Sequence, residues 1–117
     1  MMKKIREAFK EYFDDFEIEL PEKIEKKGTI SQDGWSITYV LTTDEQGDPC
    51  LDFVAEHRMT TMQHVRVRQN GEVTTLDTIQ DNYTYNAEIE GDQERAEKEM
   101  KEHNKRFADR LSEVGLR

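Results

Sequence analysis

Apolar and polar side chains alternate along much of residues 35–67, which is the pattern of β-strands with one buried face. Residues 34–79 contain four such stretches joined by three short turns, so we predict an antiparallel meander. A lysine-rich stretch at 23–31 predicts a further strand at the edge of the sheet. The buried face is predicted to be dominated by Trp35, Ile37, Tyr39, Leu51, Phe53, Val65 and Leu76, while the even-numbered neighbours in 35–67 face water.

Two dipeptides predict the turns between strands. Asp33-Gly34 indicates a tight turn, and Asn70-Gly71 indicates a two-residue type I′ hairpin. With Asn70 and Gly71 as the loop, counting outward fixes the register of the two strands. It places Val67 opposite Thr74, Arg66 opposite Thr75, Val65 opposite Leu76 and His64 opposite Asp77. A shorter alternation at 83–89 predicts a sixth strand or an extended crossing.

Helical periodicity marks both ends of the chain. Ile5, Phe9 and Phe13 recur on one face of a helix predicted over 3–16. A long helix is predicted to begin with Asp92 as its N-cap and to end at Gly115. Because the meander has one apolar face, both helices are expected to pack on it. The sequence therefore predicts a single α+β domain over 1–117, with an N-terminal helix, an antiparallel β-meander of five or six strands and a long C-terminal helix in two-layer packing.

The net charge of the chain limits the classes of molecule that it can bind. The 117 residues include 26 acidic and 17 basic side chains, a net charge of −9 that repels nucleic acids and anionic lipid. The same charge suits a basic partner or high-salt surroundings. No apolar run approaches a membrane span, and no apolar segment follows the N-terminal lysines as in a signal peptide. We expect a cytoplasmic protein that binds neither nucleic acid nor membrane, and the single Cys50 allows no intrachain disulfide.

The candidate chemical groups do not form a recognisable constellation. Cys50 and His57 are seven residues apart on one predicted strand, so their side chains should lie on opposite faces. Glu99 and His103 have a spacing that can chelate a metal, but the same spacing arises freely in a highly charged helix. Neither a glycine-rich phosphate loop nor a paired-cysteine motif is present. We predict no catalytic residue, no cofactor and no metal, which favours a non-enzymatic protein.

The first function hypothesis is a protein-interaction module with an adaptor-like or chaperone-like role, which could also self-associate as a homodimer. It rests on the acidic charge and on polar side chains of adjacent strands that share one sheet face. The alternative for the same side chains is a cross-strand salt-bridge ladder on a solvated surface. The candidate interaction face comprises Asp52, Glu56, His64, Arg66 and Arg68.

The second hypothesis is a small-ligand binder or a hydrolase-like enzyme with a pocket between the helices and the sheet. Aromatic side chains on the strands and on the segment before the second helix could line such a pocket. The alternative is that these rings fill the core. The candidate pocket residues are Trp35, Tyr39, His57, Tyr83 and Tyr85.

Overall fold

A computed structural model describes residues 2–58 and 62–117. The connection that the sequence predicts at 59–62 therefore lies outside the described residues except for Met62. The architecture confirms the α+β prediction: an N-terminal helix, one five-stranded antiparallel sheet and a long C-terminal helix. The strands lie in chain order across the sheet. The elements are α1 (Lys3–Tyr12), a short 3-10 helix (Asp14–Phe16), β1 (Lys27–Gln32), β2 (Trp35–Thr43), β3 (Pro49–His57), β4 (Met62–Arg68), β5 (Val73–Thr78) and α2 (Asp92–Glu113).

α1 docks its aromatic stripe on the odd-numbered face of the sheet. The ring centroid of Phe9 lies 5.2 Å from that of Phe53, and the Phe13 centroid lies 5.1 Å from that of Trp35. Phe9 and Phe53 are fully buried, and burying a side chain of this size stabilises a fold by about 1.5–3 kcal/mol. Ile37 and Val65 are also fully buried on this face. The predicted inward side of the strands is therefore confirmed at these positions.

α2 packs on the opposite face of the sheet, which differs from the expectation that both helices share one face. Phe107 and Leu111 of α2 form a second apolar cluster with Val40, and Val54 packs against it. Side chains at successive strand positions point to opposite faces, so Val40 lies on the other side from Tyr39. The even-numbered face thus has an apolar strip that the sequence pattern does not reveal, because the neighbouring even-numbered positions of these strands carry polar side chains.

The β4–β5 hairpin also differs from the predicted type I′ turn. The Arg68 N–H donates to the Glu72 carbonyl (2.8 Å) and the Gly71 N–H donates to the Arg68 carbonyl (2.9 Å), which defines a three-residue loop. Gly71 has a φ of 90°, the left-handed conformation that closes this type of loop. Next to the turn, the paired residues are displaced by one position from the predicted register. A bulge restores it, so that His64 lies opposite Asp77 as predicted, whereas Val65 pairs with Thr75, Arg66 with Thr74 and Val67 with Val73.

The segment between β5 and α2 forms no sixth strand. Residues 79–91 are irregular, and the helix begins at Asp92 with Gly91 as its N-cap instead of Asp92. The molecule measures 54 × 33 × 22 Å, and its Cα radius of gyration is 16.5 Å. A compact domain of this length would have a radius of gyration of about 13 Å. The fold is therefore elongated, and α2, with 22 residues, is the longest of the described elements.

Candidate functional site

Charged side chains of β3 and β4 meet on the even-numbered face of the sheet. Asp52 lies opposite Arg66 in the strand register, and its carboxylate accepts two hydrogen bonds from the guanidinium, from Nε at 2.7 Å and from Nη2 at 3.0 Å. Nε2 of His64 donates to Oδ2 of the same carboxylate at 2.9 Å. Asp52 and His64 are 0% and 1% exposed, so this three-residue cluster is a buried ion pair with a buried histidine.

The ion pairs continue toward the β2–β3 turn. Arg66 also contacts Glu45 at 3.2 Å, and Arg68 contacts Asp44 at 3.2 Å and Glu45 at 2.9 Å. The contacts with Glu45 are the most exposed of these, since the Glu45 side chain is 59% exposed. We call Asp44, Glu45, Asp52, His64, Arg66 and Arg68 the ionic cluster.

Hydrogen bonds and opposite charge keep Asp52 and Arg66 in their charged forms. Burial alone would raise the pKa of Asp52, but the hydrogen bonds from His64 and Arg66, with the charge of Arg66, hold its pKa below the ordinary value of 3.8. The hydrogen bond to Asp52 raises the pKa of Arg66. Burial, and then the charge of Asp52, raise the pKa of the neighbouring Cys50 thiol to about 12. Cys50 is consequently a protonated donor that points at Asp52, with Sγ 3.7 Å from Oδ1.

The structure brings together four of the five residues of the predicted interaction face. Asp52, His64, Arg66 and Arg68 are in the ionic cluster, as the strand pairing required. Glu56 lies opposite Met62, in a shallow hollow beneath the C-terminal end of α2. The central pair is buried, unlike a solvated ladder, so Asp52 and His64 are not available to an incoming partner.

Three of the five predicted pocket residues, Trp35, Tyr39 and His57, lie on the α1 face of the sheet. Trp35 and His57 stack with ring centroids 4.7 Å apart on the α1 face, next to Phe16. Tyr39 is 3% exposed, and its ring covers Gly28 on β1, where a larger side chain would collide with it.

The other two predicted pocket residues lie beside α2. Tyr83 contacts His103, with ring centroids 6.5 Å apart, and Tyr85 is 42% exposed. Together with Ala96 and Met100 of α2, these tyrosines line a cavity of about 210 Å³. Small-molecule sites usually occupy about 300–1,000 Å³, so this space is small for a ligand.

Polar contacts join α2 to β5 and to Gln80 over about two turns of the helix, from His103 to Arg110. Nε2 of His103 lies 3.0 Å from Oδ1 of Asp77, and Nη1 of Arg110 lies 3.1 Å from Oδ2 of the same carboxylate. Asn104 accepts a hydrogen bond from the Gln80 N–H (2.8 Å) and donates one to the Gln80 carbonyl (2.7 Å). These polar contacts between α2 and the sheet begin at His103, and the eleven helix residues 92–102 precede it.

Residues 81–102, which we call the arm, form a separate feature of the molecule. Ala96 is 2% exposed although it belongs to neither apolar cluster of the sheet, because the irregular segment with Tyr83 and Tyr85 covers it. The 22-residue helix is about 33 Å long, so its first half can extend well beyond β5. The arm contains eight acidic and three basic side chains, a net charge of −5 out of −9 for the whole chain.

Sequence reasoning missed the arm because it interpreted the alternation at 83–89 as a sixth strand or an extended crossing. The signal that could have revealed it was the clustering of charge, since 22 of the 117 residues account for more than half of the net charge. Within the described residues, no three His, Cys, Asp or Glu side chains are arranged to hold a metal ion. In the same part of the chain, no helix combines the length and apolar character needed to cross a bilayer.

No protein-family model matches the chain. Neither the search of curated proteins nor the search of solved structures finds a match.

Proposed function

We propose that this chain is a non-enzymatic protein-interaction module that presents its arm to a protein partner. The observation that carries the proposal is the exposure of large apolar side chains on the arm. Among the described residues only Val73, Tyr85 and Ile89 are large, apolar and more than a third exposed, and two of the three lie on the arm. Ile89 is the most exposed of them at 56%. Aromatic and aliphatic side chains of this kind supply most of the binding energy in protein interfaces.

The ionic cluster supports the same function indirectly. The buried carboxylate of Asp52 is hydrogen-bonded by His64 and Arg66, and the neighbouring Cys50 thiol is protonated at neutral pH. These groups stabilise the sheet between α1 and α2 and already have partners within the protein. The arm, with its polar and apolar side chains, is then the surface that a partner can contact. In this view the sheet is a rigid base and the arm is the recognition element.

Site-specific photo-crosslinking in the native host tests the proposal. A photo-reactive amino acid replaces Ile89 in one variant and Val73, an exposed apolar residue of β5, in a matched control. We expect a discrete crosslinked protein from position 89 and only background from position 73. Equal crosslinking at both positions, or none at position 89, would contradict the proposed role of the arm.

A further inference from the structure

The tip of the arm has the chemistry to recognise one class of partner. We propose that residues 85–94, the tip, bind a basic amphipathic segment of the partner protein, an inference that rests on the proposed function. Such a segment places lysine or arginine side chains beside an apolar stripe. The tip offers acidic side chains around two exposed apolar ones, which is the complementary arrangement.

The acidic side chains of the tip are available for pairing. The tip contains four acidic residues and no basic one. Asp92 is occupied, because it accepts the Asn86 N–H at 2.6 Å and pairs with Arg95 at 2.7 Å. The other three form no ion pair with any residue of the described chain and lie at the surface. They are Glu88, Glu90 and Glu94.

The apolar contact at the tip is held in place before any partner binds. The Asn86 side chain accepts the Glu88 N–H at 3.0 Å, and the Ile89 N–H donates to the Asn86 carbonyl at 3.1 Å. The Asp92 N–H donates to the Ile89 carbonyl at 3.2 Å, which connects this turn to the start of α2. A turn bonded in this way presents Ile89 with little conformational entropy left to lose, and such preorganisation favours affinity.

Charge decides between a basic partner and the other candidates for this surface. A second copy of the chain would bring its own net charge of −9, including −5 on its arm, against the same surface. Nucleic acid and anionic lipid would meet the same repulsion at long range. A basic segment is attracted instead, and opposite potentials accelerate association as well as selecting the partner.

A defined peptide pair provides the test. The probe is a synthetic amphipathic helix with lysines on its polar face and leucines on its apolar face, and glutamate replaces the lysines in the comparison peptide. Isothermal titration calorimetry at low salt should show binding of the lysine peptide and not of the glutamate peptide. Raised salt should weaken the binding, because screening shortens the range of surface charges.

Variants with equal charge locate the binding site. One variant combines Glu88→Gln, Glu90→Gln and Glu94→Gln, and its matched control combines Glu7→Gln, Glu22→Gln and Glu25→Gln, all exposed and remote from the arm. We expect the tip variant to lose roughly tenfold in affinity for the lysine peptide and the control to lose much less. Ile89→Ser alone should lose roughly tenfold as well, because it removes the apolar anchor.

The outcomes separate this inference from the proposed function. Equal losses in the tip and control variants would mean that the peptide responds to overall acidity, and the inference would be wrong. Crosslinking of a partner at position 89 without binding of the lysine peptide would retain the interaction module and reject the basic partner. Failure of both experiments would reject both.

Discussion

At Asp52 four donors converge on one carboxylate: two guanidinium nitrogens, an imidazole nitrogen and a thiol. A buried charge is tolerated only when its partners compensate the lost hydration, and here Arg66 compensates the charge while His64 completes the hydrogen bonding. His64 itself is incompletely satisfied, since its buried Nδ1 has no hydrogen-bond partner in the described chain. The buried Asp52–Arg66 ion pair is therefore stabilised by contacts within the protein more than by hydration.

Replacing Asp52 should expose this dependence. Asp52→Asn removes the buried counter-charge of the largely buried Arg66 and leaves it, among the described residues, only the exposed Glu45, so we expect a loss of about 3–5 kcal/mol in the free energy of unfolding at pH 7. Because the folded pKa of Asp52 is lowered, its stabilisation is complete above the unfolded pKa of about 3.9 and is lost as the pH falls through the folded pKa. Urea unfolding at a series of pH values should therefore show the gap between wild type and variant closing in acid.

The matched control for this prediction is Glu45→Gln, which removes an exposed partner of the same arginine. We expect it to unfold almost as the wild type does, because exposed ion pairs contribute little. A gap between Asp52→Asn and wild type that stays constant from neutral to acidic pH would contradict the role given to the ion pair.

Cys50 allows a second prediction at the scale of one residue. The thiol is 1% exposed and its pKa is raised to about 12, so very little thiolate is present or accessible in the folded chain. We expect a thiol reagent such as DTNB to label the native protein far more slowly than the urea-unfolded protein at the same pH. Since Cys50 is the only cysteine, the rate reports this site alone. Fast labelling of the native state would show that β3 opens more readily than its burial indicates.

At the scale of secondary-structure elements, the two helices pack on the sheet through apolar clusters of unequal size. Counted over the described residues, the cluster under α1 contains thirteen buried residues and the cluster under α2 contains four, so α2 should separate from the sheet at a lower free-energy cost. The contacts of Asp77 with His103 and Arg110 add polar links but are partly exposed. We infer that α2 is the element whose opening precedes global unfolding.

Hydrogen exchange should detect this difference. Phe107→Ala removes the largest apolar side chain of the α2 cluster, and Phe9→Ala removes one of equal size under α1. We expect Phe107→Ala to accelerate amide exchange in α2 while β2 and β3 remain protected. Phe9→Ala should accelerate exchange throughout the sheet, since a buried Phe→Ala change typically costs about 3–5 kcal/mol. Identical exchange patterns in the two variants would indicate that both helices belong to one cooperative unit.

The sequence was sufficient to predict the elements whose apolar residues follow a regular period. It was insufficient where a single residue determines which face is buried or which turn forms. Ile37, Phe53 and Val65 alternate strictly, and their burial was predictable. Val40 and Val54 have polar residues at the neighbouring even-numbered positions, so nothing in the period marked a second apolar face. Asn70-Gly71 suits a type I′ turn, yet only Gly71 adopts the left-handed conformation with Gln69 added to the loop.

The candidate site was predictable only in its pairing. Strand alternation and the cross-strand pairing of bases with acids brought Asp52 and Arg66 together, and the strand register confirms that contact. Their burial was not predictable, because it depends on α2 covering a face that the pattern assigned to water. The arm was hidden for a related reason, since Tyr83 and Tyr85 alternate as in a strand but pack on α2 instead.

At the scale of the whole molecule, an arm that projects gives the chain an elongated shape in solution. Small-angle X-ray scattering of the full chain at low concentration should give a radius of gyration near 16.5 Å, well above the roughly 13 Å of a compact domain. A value near the compact one would mean that the arm folds back, for example over Thr29, Ser31 and Ser36, which are exposed on the α2 face of β1 and β2. A dilution series separates projection from self-association, because association makes the radius and the forward scattering per unit concentration rise with concentration. Since identical acidic arms repel, we expect neither quantity to rise at low salt, where the repulsion is least screened.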